Sequence, residues 1–315
     1  MPTNTVPKSL KITLIVAFWG TILVILAGSI VRTTGSGLGC PDWPHCFGKW
    51  IPPTSIEELP LDYKTRFQIA GKEIADFSAF KTWVEYINRL AGVLLGMVLV
   101  VLAGLAIAKR KVLPKRVFWG SLGTLLLVIL QGGIGAIVVA THLHGQTITL
   151  HMALALALAV WLSRLILASD PVSLPGPAPS RAWWRLAGVV YALTIMQLVL
   201  GTEVRKSIDH LVHDFVLLPR VEWALHLEWT FLVHRTLSLV FALMATAWYW
   251  RSFKEGLPLR REFQKLGALV FLGIFTGVVL RELGFPAWAQ PAHLVLGTLV
   301  LVQVDRLFSA YRSRL

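Results

Sequence analysis

The sequence predicts an all-α integral membrane protein whose eight transmembrane helices form two pseudo-repeated four-helix bundles. Hydrophobic residues make up 55% of the chain and charged residues only 15%, and the mean hydropathy is +0.66. Soluble domains carry about 25% charged residues. Apolar runs of about 20 residues, the length that crosses a bilayer, occur near 12–31, 84–108, 117–140, 147–168, 183–202, 226–250, 264–281 and 288–308.

The net charge of +13 indicates orientation in a membrane rather than binding of nucleic acid. In the short loops, Lys and Arg concentrate on the side that also carries the N-terminus, for example between Lys109 and Arg116. Basic short loops stay in the cytoplasm, so both termini are predicted to be cytoplasmic in a bacterial inner membrane, where the basic excess favours anionic lipid. The first apolar run is too long for a cleavable signal peptide and is predicted to be the first spanning helix.

A proline-rich segment divides the chain. Prolines recur between Pro171 and Pro179, where fixed φ angles and missing N–H donors prevent a helix. We therefore predict an N-terminal half (1–170), a linker (171–181) and a C-terminal half (182–315). The N-terminal half includes a long outside loop (33–83), which is expected to be functional or to carry its own structure. Matching segments close the first and fifth spans, Gly28–Arg32 and Gly201–Arg205.

Polar residues with imidazole or amide side chains recur at matching places near the predicted outer ends of four spans. They are Asn88-Arg89 in the second span, His151 in the fourth, His234-Arg235 in the sixth and His293 in the eighth. Such residues are costly in lipid and usually functional. At 1.5 Å per residue, all four positions fall at a similar depth in the outer leaflet.

Two imidazoles from facing helices can hold a flat iron porphyrin by axial ligation. Zinc fits less well, because it requires four close ligands. His234 and His293 are therefore predicted to ligate a heme iron. His151 has Asn88 in place of a second histidine, so a role as iron ligand and an ordinary hydrogen bond to a neighbouring helix stay equally open for it.

Glu85 lies one turn before Asn88 and faces the same way. It is a candidate catalytic carboxylate. The alternative is a structural role, as an ion pair with Arg89 or as a charge stabilised by the helix dipole. Phe231 occupies the matching position in the second half, so the pattern predicts one reactive site and one electron-transfer site.

The outside loop holds the only two cysteines, Cys40 and Cys46. An exported pair usually forms a disulfide, which would be either structural or able to exchange with a redox partner. The glycine-rich run from Gly35 to Gly39 has no preceding strand, so we predict a flexible turn rather than a phosphate-binding loop. The remaining histidines near span ends are expected to be solvated: His142, His144, His210, His213 and His226.

Two segments give the chain a specific resemblance. The run from Gly35 to Cys46, together with Glu85-Tyr86-Ile87-Asn88-Arg89, is similar to the heme A synthase family, and the similarity extends over nearly the whole chain. That family oxidises a methyl group of heme O to the formyl group of heme A, which is used by cytochrome c oxidase. The resemblance implies the same reaction here and the same cysteine pair.

The resemblance also implies that the two halves bind different hemes. The C-terminal half would hold a heme b cofactor on His234 and His293, with Arg235 beside it. The N-terminal half would bind substrate heme O at His151, Asn88 and Arg89, with Glu85 as the catalytic carboxylate. Implied partners are a heme O synthase and cytochrome c oxidase assembly factors. Self-association into a homo-oligomer stays open, and no residue identifies the electron acceptor.

Asn88 departs from the family pattern, in which many members have histidine. An amide is a poor iron ligand, so either His151 alone holds the substrate heme or Asn88 bonds a water or oxygen species at the iron. The departure leaves two other functions open. These are a bis-histidine heme b cytochrome that only transfers electrons, and a heme carrier without oxidation chemistry.

Overall fold

The computed structural model describes residues 6–170, 176–214, 222–227 and 229–312. Throughout this part of the chain, eight helices are long and apolar enough to span a membrane, which confirms the predicted membrane-protein class. They are α1 (Lys8–Thr33), α3 (Ala79–Ala108), α4 (Lys115–Ala140), α5 (Gly145–Ser169), α6 (Arg181–Asp214), α8 (Trp229–Lys254), α9 (Arg260–Glu282) and α10 (Ala289–Arg312). Short helices α2 (Tyr63–Arg66) and α7 (Trp223–His226) lie between them.

The chain divides into two compact units, 1–170 and 171–315. In the first unit, α1 packs on α3 and α5, and α4 packs on α3 and α5. In the second unit, α6 packs on α8 and α10, and α9 packs on α8 and α10. Residues 171–175 of the predicted linker lie outside the described residues. The equivalence of the two bundles as a repeat remains a prediction.

The fifth span is longer than the prediction of 183–202. Helix α6 continues to Asp214, so His210 and His213 belong to a helix and not to a loop. Polar residues extend it: Lys206 Nζ lies 2.7 Å from Glu203 Oε1, and Arg205 Nη2 lies 2.8 Å from an Asp209 oxygen. Ion pairs three and four residues apart stabilise a helix, and Val204, Ile208 and Leu211 bury a narrow apolar stripe on this extension. Charged residues between them lower the mean hydropathy, so hydropathy alone placed the end too early.

Helix α3 begins earlier than predicted, at Ala79, because Ser78 caps it by accepting the Lys81 N–H at 3.4 Å. A serine at this position satisfies a backbone donor that the first helical turn leaves free. Glu85 and Asn88 consequently lie in the second and third turns of α3. The loop between α1 and α3 shortens to residues 34–78.

The second unit contains an aromatic core at the end of the bundle opposite the histidines. Trp183, Trp248 and Tyr311 are fully buried there, and the ring centroids of Trp183 and Trp248 are 5.3 Å apart. Trp183 Nε1 donates to Ser252 Oγ at 2.6 Å. Buried aromatic groups supply large apolar area, and indole N–H groups find acceptors, so this core holds α6, α8 and α10 together.

Candidate heme sites and the disulfide loop

In the second unit, glycines on neighbouring helices make room for the two candidate ligands. A Cβ atom added at Gly201 of α6 would lie 3.5 Å from His234 Cε1, and one added at Gly277 of α9 would lie 3.5 Å from His293 Cε1. Each imidazole therefore packs directly against the backbone of the next helix. A side chain larger than alanine at either glycine would push the ring away from this position.

The two imidazoles of the second unit face each other across the bundle. Their ring centroids are 6.3 Å apart and their planes differ by 74°. An imidazole nitrogen binds a first-row metal at about 2 Å, so two such bonds, plus the distance from nitrogen to ring centre in each of the two rings, give a centroid separation of about 6 Å. His234 and His293 thus fit a pair of axial ligands to one iron.

Thr276 of α9 contacts one of these rings through a hydrogen bond. Its Oγ1 lies 2.9 Å from His293 Nδ1 and 2.9 Å from the Leu272 carbonyl oxygen. The Gly273 carbonyl oxygen lies 3.0 Å away. The hydroxyl has a single hydrogen, and when it goes to one of these carbonyl groups the oxygen accepts the His293 Nδ1–H. In that arrangement Nε2 of His293 carries no hydrogen, which is the state that binds a metal.

The first unit repeats the glycine arrangement with one histidine and one asparagine. A Cβ atom at Gly135 of α4 would lie 3.3 Å from His151 Cε1, and one at Gly28 of α1 would lie 3.8 Å from Asn88 Oδ1. Among the described residues, Asn88 Oδ1 and His151 Nδ1 are buried without a hydrogen-bond partner. Buried polar atoms are normally satisfied, so this place suits a ligand that supplies partners.

A glutamine supports one histidine in each unit. Gln131 Nε2 donates to the His151 carbonyl oxygen at 2.8 Å, and Gln197 Nε2 donates to the His234 carbonyl oxygen at 3.1 Å. Each glutamine precedes by four residues the glycine against which that histidine packs, Gly135 or Gly201. In each unit the glutamine and the glycine together hold the histidine against the neighbouring helix.

Glu85 forms the ion pair that was the structural alternative to a catalytic role. Its Oε1 lies 2.5 Å from Arg89 Nη2, and its Oε2 accepts the Cys40 backbone N–H at 2.9 Å. The side chains of Glu85 and Arg89 are only 5% and 13% exposed. The carboxylate is therefore fixed at the boundary between α3 and the outside loop.

The cysteine pair is bridged. The Cys40–Cys46 disulfide has Cα atoms 4.8 Å apart, and both residues are fully buried. It closes a segment, residues 40–46, that we call the disulfide ring. Asp42 braces this ring by accepting the backbone N–H groups of Phe47 at 2.6 Å and Gly48 at 2.8 Å.

The rest of the outside loop has its own small core, in agreement with the expectation that so long a loop would carry structure. Phe47 makes edge contacts with the rings of Tyr63, Phe67 and Phe77.

On the surface of the loop, Glu58 accepts hydrogen bonds from the hydroxyl and the backbone N–H of Thr54. These bonds, the hydroxyl first, lower the pKa of Glu58 to about 2.

The glycine-rich run forms turns. At Gly39, however, glycine is required by close packing, which the sequence did not show. A Cβ atom there would lie 2.4 Å from the Lys81 carbonyl oxygen, so only glycine allows the loop to lie against α3. Thr82 Oγ1 adds a hydrogen bond of 2.8 Å to the Gly39 carbonyl oxygen. The segment is held against the helix and is not a free turn.

A groove with a volume of about 450 Å³ lies in the first unit. It lies between the outside loop and the end of α4, where Asp42 and Gln68 face Ala136 and Ile137. Ala136 follows Gly135, the residue against which His151 packs, but neither His151 nor Asn88 lines the groove.

Arg235, a predicted site residue, is exposed and lies on α8 beside His234. Two histidines that were expected to be solvated lie near helix ends. His226 lies in α7 and is exposed, and His144 is the residue before α5. Sequence reasoning missed Thr276, Gln131 and Gln197. The recurrence of glutamine four residues before a glycine, once in each half, was the available signal for the two glutamines.

Comparison with known proteins supports the resemblance to the heme A synthases. The model of the cytochrome oxidase assembly protein family, COX15-CtaA, matches residues 11–304. Heme A synthases from Sphingopyxis alaskensis and Methylorubrum extorquens are each 28% identical over 89% of this chain, covering 85% and 81% of their own lengths. The Shewanella oneidensis heme A synthase is 34% identical over 61% of this chain and 54% of its own length. Because the family model spans most of the sequence, the chain belongs to the cytochrome oxidase assembly protein family that includes the heme A synthases.

Proposed function

We propose that this protein is a heme A synthase, an integral membrane oxidoreductase that converts a methyl group of heme O into the formyl group of heme A. The observation that carries the proposal is the difference between the two units. The first has a fixed carboxylate, Glu85, one turn from Asn88, whereas the second has two facing imidazoles and Phe231 at the matching position. One unit is equipped for proton chemistry and the other for electron transfer.

In the second unit, His234 and His293 would hold a heme b. A bis-imidazole heme passes single electrons without binding substrate at its iron. Thr276 would keep the His293 ring in the tautomer that binds iron, and the glycine contacts at Gly201 and Gly277 fix both rings. Arg235 lies at the same end of α8, where its exposed guanidinium can face a propionate group.

In the first unit, His151 would bind substrate heme O, and the Asn88 amide would bond a polar group near it. Replacing two methyl C–H bonds by a formyl oxygen taken from water removes four electrons, which an external electron acceptor must take, and releases four protons, which a base must accept. We assign that role to Glu85, whose oxygens still have lone pairs beyond the bonds from Arg89 and Cys40. General base catalysis typically contributes on the order of 10²–10⁴-fold in rate.

The proposed setting follows from the charge pattern and the family. Both termini would lie in the cytoplasm of a bacterium and the disulfide loop outside its inner membrane. A heme O synthase would supply the substrate, and cytochrome c oxidase assembly factors would take the product.

The test is to extract the hemes from protein purified from a strain that makes heme O. The wild type should yield heme A together with heme b. Glu85→Gln keeps the size but loses the charge, so heme O or a hydroxylated product should accumulate while heme b stays. Glu255→Gln is the matched control, because Glu255 also pairs with an arginine four residues away and accepts a backbone N–H.

The outcomes separate the competing functions. Heme b alone in the wild type, even when heme O is supplied, would favour an electron-transfer cytochrome. Heme O bound but never converted would favour a carrier. If Glu85→Gln gives as much heme A per folded protein as Glu255→Gln, Glu85 is not a catalytic residue.

A further inference from the structure

The Arg89 guanidinium bonds to three backbone carbonyl groups of the disulfide ring. Nη1 donates to the carbonyl oxygens of Asp42 at 2.6 Å and His45 at 2.9 Å, and Nη2 donates to that of Cys40 at 2.8 Å. Nη2 also bonds Glu85 Oε1 at 2.5 Å. Arg89 therefore joins α3 to a ring that lies 44 to 49 residues earlier in the chain.

Three hydrogen bonds connect Glu85, Arg89 and Cys40 in a closed ring. Glu85 bonds Arg89, Arg89 bonds the carbonyl of Cys40, and the N–H of Cys40 bonds the second oxygen of Glu85. A planar guanidinium presents its donors in a rigid fork, so it can engage several carbonyl groups only when they point to one place. The disulfide and the Asp42 brace give the ring that shape.

The second unit offers an internal comparison. Arg235 occupies the position of Arg89 in the matching motif, but it is exposed. The chain has only two cysteines, so the second unit has no disulfide ring, and it has Phe231 where the first has Glu85. The arginine that contacts a disulfide ring and the carboxylate thus occur together, in one unit only.

We infer that Arg89 is a positioning residue for Glu85: it uses the disulfide ring as a rigid receptor and so holds the carboxylate in one orientation. The family resemblance implied a different role for Arg89, contact with the substrate heme. The inference rests on the proposed function in one respect, namely that Glu85 acts on substrate. The contact between Arg89 and the ring can be tested independently of that.

The first test measures the disulfide directly. In Arg89→Lys a single ammonium replaces the fork, so most of the bonds to the ring are lost. We expect tris(2-carboxyethyl)phosphine to reduce the disulfide at least about tenfold faster than in the wild type, because several charge-assisted hydrogen bonds no longer cover it. Lys64→Met is the control, since Lys64 forms an exposed ion pair with Asp76 in the same loop. Equal reduction rates in all three proteins would overturn the inference.

The second test separates positioning from substrate binding. Arg89→Lys should lower kcat for heme O oxidation and leave KM unchanged. A raised KM with an unchanged kcat would mean that Arg89 holds the substrate, and faster reduction with unchanged kcat and KM would mean that the ring does not position Glu85. Either result refutes the inference. Failure of the proposed function itself would appear separately, as a wild type that converts no heme O.

A double-mutant cycle provides the third test. If Arg89 acts through the ring, Arg89→Lys combined with Cys40→Ser and Cys46→Ser should lower kcat no further than the more damaging change alone. Multiplied losses would show independent roles and contradict the inference. Helical circular dichroism and gel filtration of each variant exclude misfolding as the cause, and Arg89→Lys alone still carries the first test if the cysteine variant does not fold.

Discussion

Replacing Thr276 by valine removes one oxygen atom and almost no volume. That oxygen lies 2.9 Å from Nδ1 of His293 and accepts its N–H when the hydroxyl hydrogen goes to the Leu272 or Gly273 carbonyl group. In the variant, the imidazole loses the Thr276 oxygen as a partner in a partly buried position. The change therefore tests whether α9 tunes an iron ligand on α10.

The magnitude follows from the bond that is lost. An unsatisfied buried donor costs about 1–3 kcal/mol, and loss of an outer partner of a metal-bound histidine typically lowers metal affinity by about 10–100-fold. We therefore expect heme b to dissociate about 10–100-fold faster from Thr276→Val. Its midpoint potential should rise, because an imidazole without this bond donates less electron density to the iron.

Transfer of heme to excess apomyoglobin measures the dissociation rate, and a reductive titration followed in the visible spectrum measures the potential. Thr276→Ser keeps the hydroxyl and should behave as the wild type. Thr298→Val is the control for a buried threonine, since that hydroxyl bonds Leu294 of its own helix at 3.0 Å. Wild-type dissociation and potential in Thr276→Val would refute the role of Thr276.

Three further predictions concern other parts of the molecule. Alanine at His234 or His293 should abolish the low-spin heme b spectrum, because in the proposed site each would supply one axial bond; an unchanged spectrum in folded protein would contradict the proposal. Gly39→Ala should destabilise the docked loop by about 1–3 kcal/mol through overpacking, seen as a lower Tm, whereas Gly96→Ala should not, because an added Cβ there meets no described residue within 4 Å. The lowered pKa of Glu58 means that its contribution to loop stability is complete above about pH 4.5 and is lost as the pH falls towards about 2. Thr54→Val should move the titration midpoint of Glu58, measured by ¹³C NMR, back towards the usual range, and an unmoved midpoint would show that the Thr54 hydroxyl does not cause the shift.

The sequence by itself determined the membrane class, the eight spans and the residues whose side chains could bind a heme or act in catalysis. Hydropathy and span length are local properties, since each helix must satisfy its own backbone in lipid. The same reasoning identified His151, His234 and His293, because an imidazole in an apolar run is conspicuous whatever surrounds it. It also left Glu85 with two roles, of which the ion pair with Arg89 is formed in the structure.

Tertiary structure decided what those residues touch. Arg89 meets carbonyl groups 44 to 49 residues away, and His293 meets Thr276 on another helix. Such contacts depend on how helices and loops pack. Every residue has a backbone carbonyl group, so the sequence does not show which of them accepts a side-chain hydrogen bond. The same holds for glycine. Gly39 and Gly201 are needed because another part of the chain packs closely against them, and only the tertiary structure shows that contact.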